Sequence, residues 1–250
     1  MSFDNQTLQI GIVGYKGRMG RELLDVAEQR KILTITDDNK QKLFDLADIV
    51  IDFSSADGLR ECLQEVKRTK KPLVSGSTPM NDELYKEMLE VSKNAKICWS
   101  SNMSIGIAVI RKMSYMLGQI LSGDEYDCEI VEKHHNQKLD APSGTAKTIG
   151  QAVADGRGVN FNQNAVFGRN PQSEKRQVNE IGFSSIRGGN IFGEHDVMFI
   201  GQNDEITISH KAFNRKLFAV GAINCALKLL EKKENGFYSI EDLLITADVD

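Results

Sequence analysis

The densest chemistry in the chain lies in Glu132-Lys133-His134-His135-Asn136-Gln137-Lys138-Leu139-Asp140-Ala141-Pro142-Ser143-Gly144-Thr145, which holds two of the chain's four histidines. Imidazoles exchange protons near neutrality and Lys138 adds a fixed positive charge, so this segment can move a proton and neutralise an anion. Pro142-Ser143-Gly144 reads as a helix entry with Ser143 as its cap, and the N–H groups of Gly144 and Thr145 then face an anion. A substrate carrying carboxylates suits such a set. A metal suits it poorly: adjacent histidines point to opposite sides of a strand or diverge in a loop, and no Cys or third His stands at ligand spacing. On spacing alone, a solvated polar loop is the plain alternative.

A second pattern spans Ile10 to Gly20, IGIVGYKGRMG, with glycines at 14, 17 and 20 between a strand and a helical run. Glycine permits the tight turn and close backbone approach to a pyrophosphate, and the helix N-terminus favours the anion. The GxxGxxG spacing puts Lys16 where the strict dinucleotide fingerprint has glycine, so a βα turn without a nucleotide is the competing reading. Asp37 and Asp38 stand 17 and 18 positions beyond Gly20, near where an acid meets the adenosine ribose, which favours NAD over NADP. Lys16 and Lys40 are nevertheless within reach of a 2′-phosphate. Two later strands end in Ser75-Gly76-Ser77-Thr78 and Ser100-Ser101-Asn102-Met103, small and polar at the edge where open α/β sheets bind ligands.

The elements that must position these residues follow from hydrophobic period. Strands are expected at Leu8–Val13, Ile32–Thr36, Asp48–Phe53, Pro72–Ser75 and Lys96–Trp99, alternating with helices at Arg18–Gln29 (through Met19, Leu23, Leu24 and Ala27), Ser55–Arg68 and Asn81–Ser92. That is the rhythm of a parallel sheet. After Asn102 it changes. A helix over Ile105–Leu121, a strand over Asp127–Glu132 and a helix to about Ala154 lead to a polar stretch, 156–176, read as loop. Strands at Val178–Ser185, Ile191–Ile200 and Glu205–His210 are separated by Gly188-Gly189-Asn190 and Gly201-Gln202-Asn203-Asp204, both read as hairpin turns. A last helix over Arg215–Leu230, burying Phe218, Ala222, Ala226 and Leu229, closes the chain helically. The expected fold is α/β, a Rossmann-type parallel-sheet nucleotide domain (1–104 and 215–250) with an inserted α+β domain (105–214).

Composition bounds the partners. The 250 residues are 40% hydrophobic and 26% charged, with a net charge of -4, which gives no global attraction to nucleic acid or anionic lipid. Four widely spaced cysteines suggest reduced, buried thiols rather than a zinc or redox site. The amino terminus reaches an acid and glycines before any long apolar run, so neither signal peptide nor membrane span is expected, and a cytoplasmic location is. His195 and His210, in alternating strands, are expected to be packing or hydrogen-bonded residues outside the active site.

HHNQKLDAPSGTA, GRMG after the first strand, FSSADG, and GEHDVMF with DEITISHKAFNRKLFAVGA near the end together resemble the 4-hydroxy-tetrahydrodipicolinate reductases, the dihydrodipicolinate reductases of lysine biosynthesis. The likeness runs over nearly the whole chain, and its histidine-to-threonine block is the specific part. It implies reduction of a cyclic dicarboxylate by NADH or NADPH in the diaminopimelate route, and a homotetramer formed largely through the second domain's sheet. Carried over by position, the acid/base histidine falls on His134 and the lysine donor on Lys138. His135, Gly144 and Thr145 would then bind substrate. Independently of the resemblance, Arg215 is a further cationic candidate for the substrate carboxylates, or a cap of the last helix. The cofactor loop maps to Gly14, Tyr15, Lys16, Gly17, Arg18 and Met19, the ribose acid to Asp37, and later contacts to Gly76, Ser77, Thr78, Ser101, Asn102 and Met103. The chain departs from many members in carrying Asn136-Gln137 where they carry a basic pair. It also has Gly-Ser-Thr for the usual Gly-Thr-Thr, and a shorter segment between Thr36 and Asp48.

Overall fold

β1 (Gln9–Val13) is buried from Ile10 onward, as a strand covered on both faces must be. The computed structural model to which it belongs describes residues 8–78, 80–169 and 174–245. α1 (Arg18–Gln29) has the bounds its periodicity predicts and buries Leu23, Val26 and Ala27, whereas Met19 and Leu24 are only half-buried. β2 (Leu33–Ile35) leads to α2 (Lys40–Leu46), a helix the sequence pattern did not announce. Seven residues span two turns, too few for a visible period, and the helix depends on the Asn39 cap and on burial of the adjacent Leu43 and Phe44. β3 (Ile49–Asp52) has no exposed residue. α3 (Ala56–Thr69), β4 (Leu73–Ser75), α4 (Asp82–Ser92) and β5 (Lys96–Trp99) follow close to expectation, with Ser55 and Asn81 as side-chain caps.

α5 (Ile105–Ile120) leads into β6 (Asp127–His134), which runs two residues further than expected, so His134 ends a strand rather than sitting in a loop. α6 (Gly144–Arg157) is capped by Ser143, whose Oγ accepts the Ala146 N–H. The stretch read as loop contains α7 (Phe161–Asn164) and β7 (Ala165–Phe167). Phe161 and Phe167 hold it by packing on Phe183 at ring distances of 6.1 and 5.2 Å; residues 170–173 lie outside the described residues. β8 (Ile181–Arg187), β9 (Glu194–Ile200) and β10 (Glu205–Lys211) complete a sheet of order β10-β9-β6-β8-β7. The β9–β10 turn is the expected hairpin. The β8–β9 connection is not, because β6 occupies both edges, parallel to β8 and antiparallel to β9. Gly188 and Gly189 instead hydrogen-bond with residues at and beyond the end of β6, Gly188 N–H to His134 O and Asn136 N–H to Gly189 O. One face of this sheet, through Ile130, Phe183, Val197 and Phe199, packs on Ile149 and Val153 of α6.

α8 (Lys216–Glu231) buries Ala222, Ala226 and Leu229 but leaves Phe218 half-buried. The chain does not finish on helices alone: β11 (Gly236–Tyr238) joins β5 before α9 (Ile240–Leu244). Three residues of mixed burial give no alternation to read. The first sheet is wholly parallel, in the order β11-β5-β4-β3-β1-β2. The chain divides into two units, Met1–Ile105 with Arg215–Asp250, and Gly106–Asn214. All four cysteines are buried and unpaired, and burial pushes the Cys128 thiol up to about 12. Among the described residues no helix is long and apolar enough to cross a membrane.

Candidate active site

In β6 the two-residue period puts Cys128, Ile130, Glu132 and His134 on the buried face. Glu132 has no exposed surface. Its Oε2 accepts from His134 Nδ1 at 2.5 Å and from Arg187 Nη1 at 2.9 Å, while Oε1 accepts from Arg187 Nη2 at 2.6 Å and from the Ser143 N–H at 3.1 Å. Arg187 lies opposite His134 in the β6–β8 register and also donates to the Asp140 carbonyl at 2.6 Å. One carboxylate therefore joins the end of β6, the end of β8 and the entry of α6. His195, opposite Glu132 in the β6–β9 register, places Nε2 3.2 Å from Ser143 Oγ and meets the His134 ring edge-on at 5.2 Å.

These contacts set the charges. Burial alone would push the Glu132 carboxyl up, but the Arg187 fork, Ser185 and His134 together bring it down to about 2. His134 is lowered, chiefly by burial and further by the positive charges of Lys138 and Arg187, with Glu132 opposing. Burial and then His134 take His195 down to about 3. Both rings are neutral at pH 7, and because Nδ1 of His134 donates to Glu132, its Nε2 carries the free lone pair.

The remaining residues of the block are placed as follows. Lys138 Nζ pairs with Asp140 at 2.7 Å. Burial raises the Asp140 carboxyl, but Lys138 and the Gly144 N–H outweigh it and hold it low. His135 is half-buried and its Nδ1 accepts the Gln137 N–H at 3.2 Å. Gly144 and Thr145 form the first turn of α6, and a Cβ at Gly144 would meet nothing within 4 Å, so there is open space beside a backbone whose Gly144 N–H serves Asp140. Sequence reasoning assigned no part to Glu132 or Arg187 and expected His195 to be a packing or hydrogen-bonded residue outside the active site; it is packed and hydrogen-bonded, but against His134 and Ser143 of this site. The alternation of β6 signals Glu132, but the other two enter through strand register, which no local pattern encodes.

In the first unit the glycine turn frames a cavity of about 300 Å³ lined by Val13, Gly14, Tyr15, Lys16, Gly17, Asp37, Asp38, Lys40, Phe53 and Ser54. Gly14 has φ +80°, and a Cβ there would lie 2.5 Å from Phe53 O; one at Gly20 would lie 2.3 Å from Gly14 O. Gly17 begins α1 with no side-chain cap and no acid in the first turn, so its N-terminal N–H groups suit a phosphate. These features fit a dinucleotide. Both acids line the cavity. Asp37 pairs with Lys42 at 2.8 Å, and Asp38 with Lys16 at 2.6 Å and the Tyr15 hydroxyl at 3.3 Å. Lys40 is paired with Glu61 at 2.5 Å. A second cavity, of about 270 Å³, is lined by Arg18, Met19, Phe53, Gly76, Ser100, Ser101, Asn102, Met103, Arg215 and Phe218. Arg215 thus stands with the cofactor candidates of the first unit, where its side chain makes no cap bond to α8. Ser77 is buried with its hydroxyl on Asp52, and Thr78 is exposed.

A parallel sheet whose glycine turn and carboxyl-edge loops frame such cavities, in a chain with a second mixed-sheet unit, defines a Rossmann-type nucleotide-binding fold. Residues 106–244 match the model of the C-terminus of dihydrodipicolinate reductase and residues 29–103 that of its N-terminus. The chain belongs to the dihydrodipicolinate reductase family. It is 39% identical to the 4-hydroxy-tetrahydrodipicolinate reductase of Campylobacter lari, over 95% of this chain and 99% of that one. To the enzyme of the same name from Caldanaerobacter subterraneus it is 37% identical, over 95% and 98%. Among solved structures, a dipicolinate-bound dihydrodipicolinate reductase from Paenisporosarcina sp. TG-14 shares the fold with a TM-score of 0.75 at 20% identity, covering 95% of this chain and 99% of that one. The glycine loop precedes the matched N-terminal segment, so its reading rests on its own geometry.

Proposed function

We propose that the protein reduces 4-hydroxy-tetrahydrodipicolinate to tetrahydrodipicolinate, on the diaminopimelate route to lysine, with NADH or NADPH as reductant. The family and its relatives' names support the reaction, and the neighbour bound to dipicolinate supports a dicarboxylate ligand. The single observation that carries the residue assignment is the Glu132–His134 pair beside Lys138, a neutral imidazole and an ammonium at a helix entry.

A nicotinamide dinucleotide would supply a hydride when bound. Gly14, Gly17 and the start of α1 would hold its pyrophosphate, Asp37 or Asp38 its ribose, and Gly76 and Ser101 to Met103 would supply further contacts. In the second unit the Gly144 and Thr145 N–H groups, Lys138 and His135 take the substrate carboxylates. The substrate's 4-hydroxyl leaves as water, hydride adds to the conjugated imine so formed, and Lys138 Nζ would carry the proton that the resulting electron-rich nitrogen requires. His134 Nε2 carries an unprotonated lone pair in the free protein and gains a proton when dicarboxylate charge approaches, because nearby anions favour the imidazolium. A carboxylate entering this site competes with Asp140 for Lys138 and Gly144. Homotetramer assembly through the second unit's sheet belongs to the same reading. It is supported by the exposed Ile186 and half-buried Met198, which share the face opposite Ile130 and Glu132. A cytoplasmic location accompanies it.

The test is turnover of freshly prepared substrate followed by NADH absorbance. His134→Ala and Lys138→Ala are expected to fold and bind NADH yet lose about 100-fold or more in kcat. Full activity in both removes the assignment, and NADH binding without any substrate-dependent oxidation removes the enzyme reading.

A further inference from the structure

Asp52 closes β3 at the carboxyl edge of the parallel sheet and has no exposed surface. It makes no ion pair among the described residues. Its oxygens are satisfied by serines: Oδ1 accepts from Ser54 N–H at 3.1 Å and Ser54 Oγ at 2.5 Å, and Oδ2 from Ser75 Oγ at 2.9 Å and Ser77 Oγ at 2.7 Å. The network closes on itself. Ser77 Oγ accepts the Ser54 N–H at 2.8 Å, the Gly76 N–H donates to Asp52 O at 3.0 Å, and Trp99 Nε1 donates to Ser77 O at 3.1 Å. Burial raises the Asp52 carboxyl against the pull of these donors.

A buried carboxyl held by three serine hydroxyls and one backbone N–H, with no cation paired to it among the described residues, is an expensive way to join two loops, since an apolar contact would avoid the desolvation cost. What it joins is specific. Phe53, between Asp52 and Ser54, lines both cavities of the first unit, and its ring lies where a Cβ on Gly76 would come within 2.4 Å. Its carbonyl sits against Gly14 with equal closeness, at 2.5 Å from a Cβ built there. The position of Phe53 therefore registers the glycine turn after β1 against the loop after β4. Its neighbours on both sides are fixed by the Asp52 carboxylate.

We propose that Asp52 is a positioning residue for cofactor binding, its carboxylate setting the loops after β3 and β4 at the separation the dinucleotide site requires. This rests on the nicotinamide-dinucleotide reading above. Asp52 touches no cavity itself and acts through Phe53 and Ser54.

The test compares wild type, Asp52→Asn and Ser75→Ala, which removes one buried donor to Asp52 and lines neither cavity, by fluorescence titration of NADH in the absence of substrate, with steady-state kinetics and thermal unfolding alongside. Loss of the buried bonds is expected to raise the NADH Kd about tenfold in each variant. The KM for the dicarboxylate substrate and kcat at saturating NADH stay within about twofold of wild type. A lowered melting temperature with an unchanged Kd in the folded variants makes Asp52 an anchor of the fold only and overturns the proposal. Should Asp52→Asn not fold, Ser75→Ala, which keeps the carboxyl and its other donors, decides on the same criterion. Wild type that fails to bind NADH overturns the cofactor reading itself, a result separate from wild type that binds and variants that bind equally.

Discussion

Replacing Glu132 by Gln tests the charge arrangement at the end of β6 most directly, because one oxygen and the overall shape survive while the negative charge is lost. The Glu132 carboxyl is fully buried and displaced from an ordinary 4.5 to about 2. At about 1.4 kcal/mol per pH unit, the carboxylate contributes ~3 kcal/mol to stability at neutral pH. The sign follows from the direction of the displacement. The native state holds the carboxylate more strongly than the unfolded chain does, so the contribution is complete above about pH 4.5 and is lost as pH falls toward 2. The Arg187 fork is the leading interaction behind that ~3 kcal/mol, so its loss is already contained in it. Urea unfolding followed by a probe in the second unit should show the variant ~3 kcal/mol or more less stable at pH 7, with the gap narrowing strongly by pH 3. The Glu132 charge also raises His134 and His195, so its loss makes both rings harder to protonate below their ordinary 6.5 and offsets part of the narrowing. An equal gap at pH 7 and pH 3, or none at pH 7, refutes the reasoning.

Two further outcomes follow from close contacts. Gly20→Ala would press a Cβ to 2.3 Å from Gly14 O and 2.4 Å from Tyr15 Cα, both backbone atoms; NADH binding should weaken about tenfold or more, measured by titration, with ~1–3 kcal/mol lost from stability. Asp140→Asn removes the carboxylate that holds Lys138 Nζ at 2.7 Å, so the KM for the dicarboxylate should fall severalfold with little change in the NADH Kd. A raised KM would mean that Asp140 orients Lys138 rather than competing with substrate.

Elements with a full period were legible in the sequence. α1 and β5 have the bounds their patterns predict, because a repeating apolar face over three turns, or a buried run of Ile and Cys, is set by local chemistry. α2 and β11 were not, being too short to repeat anything. The β8–β9 connection shows a different limit. Gly188-Gly189-Asn190 carries every residue preference of a hairpin turn, but strand order depends on which edge β6 fills, and that competition is between distant segments. The candidate site divides in the same way. His134, Lys138 and the Ser143 cap lie within one segment, whereas Arg187 and His195 reach it through pairings 53 and 63 positions away, His134 with Arg187 and Glu132 with His195.

The same division explains why the adjacent histidines differ in environment. His134 is the last residue of a strand whose alternation turns it inward, onto Glu132 and against His195, where burial removes its charge. His135 falls just past the strand, in a turn, and bonds only its own neighbour Gln137 among the contacts described. Had β6 ended at Glu132, as its apolar run suggests, both rings would lie in a loop and neither would have a defined tautomer. The two extra residues of strand arise because Arg187 and Gly188 of the parallel neighbour continue the pairing, Gly188 N–H reaching His134 O at 2.9 Å. Arg187 therefore acts twice on His134: its backbone extends the strand that orients the ring, and its guanidinium keeps ionised the carboxylate that accepts the ring's Nδ1 proton. A basic residue placed at that register by sheet topology makes a histidine at a strand end into a neutral, single-tautomer group, which is the state in which Nε2 can take up a proton as anionic substrate arrives.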